Sequence, residues 1–404
     1  MKFTVKTVLQ RSPRLGELSQ IPGKPDIKLE TPLVLLHTQA GHVPHITHEV
    51  LKMVTQEPQI LQIPVVSMHK YQEAIKSFSH PVADFIGSKN SLTCLTLHDV
   101  SDIMKPGHHI KEKVPVFTRN GKVLYDSDKY MDMVEHCQPN MYVLLSDSDT
   151  NETSAPKRIA KALDNTVAFV KQCLERHKKC EALKDSLVIA PIAGAYCVKS
   201  RQKCLNLLKP YEESFHGYLI DGLHNNGPQV EFIPFKDIKP IVDTIVEAMP
   251  EEKLLAIQGC WNPVNIIKLV KAGVDLFDTS YCRILTERSS VMIFAIDPQD
   301  TCNIYELNLR EEQFSEDLEP LKPNCECLVC MNYTRAYIHH LLTVQELLGP
   351  ILIMIHNTHH MLKFFNKIRE SIKDGTLDEL EWRVQKQFDD FQSKFEQKVR
   401  SATV

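Results

Sequence analysis

Residues 254–278 read LLAIQGCWNPVNIIKLVKAGVDLFD. The stretch opens on a short, continuously apolar run, the pattern of a strand buried on both faces. Asn262-Pro263 follows, a capping residue with proline in the first turn, which marks a helix start. It closes on a second apolar run at 274–278. Strand, helix and strand within so few residues make a βα unit with a right-handed crossover.

The same alternation extends over residues 186–296, and similar runs recur upstream. The full set is PLVLLHT, ILQIPVV, LTCLTL, MYVLLS, SLVIAPI, GYLID, KLLAIQG, VDLFD and VMIFAI. Between them lie helical stripes, Ile159, Leu163, Val167, Val170 and Leu174 in one segment, and Ile238, Val242, Ile245 and Met249 in another. Eight or so strands over ~300 residues favour a closed (β/α)8 TIM barrel of the α/β class over an open doubly wound sheet. No glycine-rich phosphate fingerprint follows any strand, which argues against dinucleotide binding. Residues 146–156 read as a polar loop and 21–30 as an extended surface segment. The expected division is a barrel with inserted N-terminal hairpins over 1–310 and a zinc-binding helical subdomain with C-terminal helices over 311–404. In the last stretch Leu380, Val384, Phe388, Phe391 and Phe395 fall at helical spacing, a packing stripe.

Composition excludes some classes. The 404 residues are 43% apolar and 24% charged with a net charge of −4, so bulk charge does not indicate a strongly basic nucleic-acid binder. The N-terminus lacks the apolar core of a signal peptide. The longest apolar run, LLGPILIMI, is about half of the ~20 residues that cross a bilayer and is interrupted by Gly349-Pro350. A soluble, intracellular chain is expected, and its 12 cysteines then read as thiols and metal ligands rather than disulfides.

Three of those cysteines crowd into residues 325–330, CECLVC. Thiols at i, i+2 and i+5 can turn inward around one ion, and zinc asks for a fourth soft or borderline ligand. His339, His340, His356, His359 and His360 are the candidates. A helix starts near Thr334, and Thr343 with Glu346 suggests a second start. Pro350 is expected to kink that second helix, which can bring His356 back to the cluster. On spacing alone His340 competes with it.

The segment from Cys325 to Asn357 resembles the zinc segment of the tRNA-guanine transglycosylase family, whose members exchange an anticodon guanine for queuine or its precursor. The family pattern is Cys-x-Cys-x-x-Cys, then Arg-Ala-Tyr-x-His-His-Leu, then His-Asn. Here these are Cys325, Cys327, Cys330, the run Arg335 to Leu341, and His356-Asn357. The resemblance implies one structural Zn2+ held by Cys325, Cys327, Cys330 and His356. It extends upstream through TPLVLLHTQAGHVPHIT, VPVFTRNGKVLY, HGYLIDGL and the opening stretch, and so implies the barrel as well.

The family's reactive residues match poorly. Asp278 stands where the family has the aspartate that attacks the ribose C1′. The following Cys-Val-x-Pro-Thr-Arg is replaced by Thr279-Ser280-Tyr281-Cys282-Arg283-Ile284. The Asp-Ser-Gly-Gly-Phe-Gln motif, source of the acid/base aspartate, has no counterpart, and Asp99 or Asp102 are weak substitutes. Asp147 matches a base-binding aspartate only loosely. Val-Gln-Gly-Gly has become Ile192-Ala193-Gly194-Ala195, and Leu-Ala-Val-Gly-Glu has become Leu223-His224-Asn225-Asn226-Gly227. No catalytic residue is assigned.

This combination resembles a non-catalytic branch of the family. The resemblance implies a heterodimer with the catalytic subunit of a queuine tRNA-ribosyltransferase, or a homodimer when isolated, pairing through the zinc-subdomain side. It implies support for guanine-to-queuine exchange at the wobble position of a tRNA with a GUN anticodon, with Lys363, Lys367, Arg369 and Lys373 as candidate phosphate contacts. It also implies a cytoplasmic location with peripheral attachment at the mitochondrial outer membrane. One alternative is an active transglycosylase with Asp278 as nucleophile. Another is a zinc-stapled barrel that binds queuine or a protein but not tRNA.

Overall fold

The computed structural model describes residues 1–8, 12–105, 112–118, 120–300 and 302–402, without the side chains of residues 7–8 and 395–402. Two compact units divide the chain. Residues 1–42, 58–261 and 269–280 form the first, and 43–57, 262–268 and 281 onward the second.

The first unit holds a closed barrel of eight parallel strands, labelled in chain order: β1 (Leu33–His37), β2 (Ile60–Pro64), β3 (Leu92–Thr96), β4 (Met141–Val143), β5 (Leu187–Ile192), β6 (Gly217–Ile220), β7 (Leu254–Ile257) and β8 (Leu276–Asp278). Each pairs with its neighbours in sequence, and β8 closes on β1 through Leu276–Leu33 and Asp278–Leu35. Every residue of the eight strands is buried, as strands covered on both faces require. At least one helix separates each strand from the next in the chain, so the architecture is the expected (β/α)8 barrel.

The barrel interior is apolar at its lower levels. Leu33, Leu35, Ile60, Leu92, Met141 and Leu187 belong to one core cluster with Phe3, Leu18, Ile21 and Leu29. These last four come from residues 1–31, where three strands, Lys2–Val8, Arg14–Ser19 and Leu29–Thr31, form an antiparallel sheet that floors the barrel. Residues 21–30 run along the surface, with Pro22, Gly23, Pro25, Asp26 and Lys28 exposed, but they are anchored at both ends. Ile21 and Leu29 are buried, and Leu29 to Thr31 pair with Leu18 to Gly16, because the barrel floor needs apolar cover. The charged anchor of this sheet is Arg14, whose Nε donates to Asp275 Oδ1 at 2.9 Å beside the start of β8.

The hairpin read at 114–125 pairs Val114–Thr118 with Gly121–Tyr125; Arg119 in its turn lies outside the described residues.

In the second unit, Ser290–Met292 pairs antiparallel with Glu306–Asn308. VMIFAI is thus no barrel strand: apolar content reveals a strand without naming its partner. Four helices follow: α1 (Leu328–Asn332), α2 (Arg335–Thr343), α3 (Leu348–Asp374) and α4 (Leu377–Ala402). Thr334 caps α2, accepting from the Tyr337 N–H at 3.2 Å. Thr343 does not cap α3. Its hydroxyl donates back to the His339 carbonyl at 2.9 Å, the local bond that competes with capping. Pro350 does not interrupt α3 either, since it sits in the first turn, where an N–H has no intrahelical acceptor. On α4, Leu380 and Val384 are buried, and the Phe388 ring lies 5.1 Å from that of Tyr305. The Phe395 side chain lies outside the described residues. Among the described residues, no helix is long and apolar enough to cross a membrane.

Candidate metal centre and the mouth of the barrel

Among the described residues, Cys325, Cys327, Cys330 and His356 bring four donor atoms within 4.8 Å of one another. Cys325 and Cys327 lie in the turn that leads into α1, and Cys330 on α1 itself. His356 faces them from the third turn of α3. Its Nδ1 lies 3.5 Å from Cys327 Sγ and 3.4 Å from Cys330 Sγ. Zn–S bonds of ~2.3 Å and a Zn–N bond of ~2.0–2.1 Å at tetrahedral angles put such atoms about 3.6 Å apart. The donor set therefore fits zinc in size and in chemistry, and four protein donors leave no open position, which makes the arrangement structural.

The surroundings prepare these donors. The Cys330 N–H donates to Cys327 Sγ at 3.4 Å. His356 Nε2 donates to the Met292 carbonyl at 2.8 Å, which leaves the Nδ1 lone pair toward the sulfurs. Three thiolates this close cannot all ionise without a cation. Hydrogen bonds from Cys327 and Cys330 pull the Cys325 thiol down, while the bond to Cys325 pushes the Cys330 thiol up. Burial lowers the His356 pKa, but the contacts with Cys325 and Cys327 outweigh it and raise the value to about 9 in the metal-free cluster, so that metal binding would displace the Nδ1 proton.

Of the other candidate histidines, His359 touches the cluster, hydrogen-bonding the Cys325 thiol and lowering its pKa, and the remaining three point elsewhere. His339 Nδ1 faces the Leu309 carbonyl at 2.8 Å, His340 is exposed, and the buried His360 ring packs edge-on against Phe294. Lys322, which sequence reasoning missed, is buried and pairs with Asp300. Its Nζ donates to the carbonyls of Ile293 and Phe294, next to Met292.

In the first unit the mouth of the barrel, where the strands' C-terminal ends deliver side chains, is the other place to look. Asp278 ends β8 and is 4% exposed. Its Oδ2 accepts from the Gly259 N–H and its Oδ1 from the Ser280 N–H, both at 2.9 Å. Both oxygens are thus engaged by backbone. Asp99 is similarly occupied, accepting from the Ser101 hydroxyl at 2.6 Å and N–H at 3.0 Å, with His37 Nε2 at 3.3 Å. Asp102 is exposed. Asp147 is clasped by Arg158 and by Asn165 Nδ2 at 2.8 Å, partners within its own barrel rather than a base.

Loops close over this mouth. The Met104 N–H donates to the Asn225 carbonyl at 2.7 Å, and the Gly227 N–H to the Val100 carbonyl at 3.0 Å. Asn225 Nδ2 donates to Asp149 at 2.9 Å. Beneath them a cavity of about 40 Å³ is bordered by His98, Ser146, Asp221, His224 and Gln258. That space holds roughly three waters. Arg201, also missed from sequence, is fully buried, and among the described residues no carboxylate forms a salt bridge with it. Its guanidinium donates to the carbonyls of Ala195, Ile192 and Asp221, tying down the loop that replaced Val-Gln-Gly-Gly.

Burial raises the Asp278 pKa to about 6 from 3.8, against the opposing bonds from Ser280 and Gly259. A carboxyl that holds its proton more tightly when folded contributes stability fully below pH ~4 and loses that contribution as pH rises through 6. Asp278 therefore costs roughly 2 kcal/mol at pH 7 relative to pH 4. Asp278→Asn is expected to flatten this share of the stability profile between pH 4 and 7. Urea midpoints at both ends measure it; an unchanged difference between the two midpoints would refute the assignment.

Of the candidate phosphate contacts, Lys363 and Lys373 are exposed, Lys367 pairs with Asp297 at 3.0 Å, and Arg369 donates to Asn366.

A parallel (β/α)8 barrel followed in sequence by three cysteines and a histidine with zinc-sized spacings is the combination that defines tRNA-guanine transglycosylases. The model of the Queuine tRNA-ribosyltransferase family matches residues 10–390, and the chain belongs to that family. It is 38% identical to a protein of Anopheles gambiae over 94% of this chain and 89% of the relative. Identity is 35% to one of Aedes aegypti (96% and 93% covered) and 36% to one of Drosophila virilis (94% and 91%). Each of the three relatives is named queuine tRNA-ribosyltransferase accessory subunit 2.

Proposed function

We propose that this chain is the non-catalytic subunit of a heteromeric queuine tRNA-ribosyltransferase. It holds the catalytic subunit and a tRNA with a GUN anticodon while guanine is exchanged for queuine at the wobble position. The observation that carries this reading is Asp278: the one carboxylate matching the family nucleophile is buried, with both oxygens taken by backbone N–H groups. The accessory-subunit names of the relatives support it.

In this reading Cys325, Cys327, Cys330 and His356 hold one zinc ion. The ion supplies no chemistry to the reaction and instead cross-links α1 to α3 inside the second unit. That unit also carries exposed apolar side chains at Met331, Tyr337, Val344 and Leu347, with Tyr333 stacked on Tyr337, a surface suited to a protein partner. A cytoplasmic location with peripheral attachment at the mitochondrial outer membrane belongs to the same proposal; recovery of the chain in the matrix on subcellular fractionation would contradict it.

The test is exchange of labelled guanine into tRNA. The chain alone is expected to show no exchange above background, and the assembled pair robust exchange that Asp278→Asn leaves unchanged. Turnover by the isolated chain, abolished in Asp278→Asn, would replace this reading with that of an active transglycosylase.

A further inference from the structure

Among the described residues, the strand Ser290–Met292 has a sheet partner on one side only. On that side the Leu309 N–H reaches the Ser289 carbonyl and the Ile293 N–H reaches the Tyr305 carbonyl. By the alternation of an antiparallel ladder, Ser290 and Met292 then turn their polar groups to the opposite edge. Both residues are buried, at 2% and 0% exposure, so that edge cannot be satisfied by bulk water.

Two adjacent side chains of α3 take the place of the missing strand. Asn357 Oδ1 accepts from the Met292 N–H at 2.9 Å, and its Nδ2 donates to the Ser290 carbonyl at 3.0 Å. A carboxamide offers the same donor and acceptor as a peptide unit, so it pairs with the edge as a strand would. The Met292 carbonyl, next along the same edge, receives His356 Nε2 at 2.8 Å. Asn357 Nδ2 also lies 3.3 Å from Thr286 Oγ1, and its own carbonyl accepts from the Cys282 thiol at 3.5 Å.

We propose that Asn357 is the positioning residue of the metal centre: by occupying the open edge of Ser290–Met292 it sets the rotation of α3 that aims His356 Nδ1 at the three sulfurs. This rests on the reading of the Cys3His cluster as a zinc site. Metal and strand edge then act through one dipeptide. The ion holds one nitrogen of His356, the strand holds the other, and Asn357 keeps the strand in reach.

The experiment is competition of the full-length chain with a zinc chelator, joined to visible spectra of the Co2+-loaded protein. Asn357→Ala is expected to weaken zinc binding 10- to 100-fold, the range for loss of an outer-sphere partner. Its Co2+ d–d bands are expected to shift as the fourth ligand loosens, which a purely structural loss of stability would not produce. Thr286→Val, which takes from Asn357 only the longest of its three side-chain bonds and also removes the Thr286 bond to the Cys282 carbonyl, should keep the wild-type spectrum. A second measurement needs no variant: on the wild-type chain, zinc removal should speed hydrogen exchange at the Met292 amide at least tenfold. An Asn357→Ala affinity within twofold of wild type, or Met292 exchange indifferent to zinc, overturns this proposal and leaves the zinc site standing. A wild-type chain without stoichiometric zinc overturns both.

Discussion

Cys327→Ala is expected to strip the zinc and to lower the melting temperature of the second unit by about 10 °C or more. Cys327 is 3% exposed and does two jobs, as a metal donor and as the N-cap of α1, where its sulfur accepts the Cys330 N–H. The helix it caps has five residues, far below the ~12–15 at which an isolated helix becomes even marginal. Structural zinc binds zinc-finger peptides with ~10–16 kcal/mol, and a unit already packed through α3 realises a fraction of that. Several kcal/mol in a domain of this size corresponds to the stated shift. Metal analysis with differential scanning calorimetry measures it, and Cys302→Ala, at a half-exposed thiol, is the control. If Cys327→Ala retained stoichiometric zinc and its melting point, the metal reading would fail.

Arg14→Ala should destabilise the first unit by ~3–5 kcal/mol, the usual consequence of stranding a buried charge. Asp275 is completely buried, and burial raises its pKa against the pull of Arg14. The guanidinium also donates to the carbonyls of Glu251 at 2.7 Å and Lys253 at 2.8 Å, so its loss frees three acceptors at the barrel floor. Replacing both charges, as Arg14→Met with Asp275→Asn, should recover part of the loss because no ion is left unpaired. Urea titrations of the three proteins decide it; a single-variant loss below 1 kcal/mol would mean that water reaches Asp275.

These two sites also mark what a sequence can and cannot tell. The eight barrel strands were legible because strands covered on both faces are apolar throughout, and their spacing left room for one crossover each. The cysteine triplet was legible because its geometry is local. His356 lies 26 residues beyond Cys330, and only the resemblance preferred it to His340. Arg14 and Asp275 are 261 positions apart, and neither carries any local signal of the other. VMIFAI was read as a barrel strand, yet only Val291 and Met292 are strand and they pair outside the barrel, since apolar content is silent about pairing. Thr343 and Glu346 fit the capping pattern, yet the Thr343 hydroxyl found a nearer acceptor in His339. Arg201 left no signal, because its partners are backbone carbonyls that any residue provides.

The rungs joining Val100 to Gly227 and Met104 to Asn225 have a consequence for attempts to revive chemistry in this chain. Grafting the family's lost acid and glycine residues back into the loops would restore groups but not a doorway. Admission of a nucleotide between these loops would require breaking those main-chain pairs. Reanimation would have to begin by unstitching the rim and only then re-equip the floor beneath it.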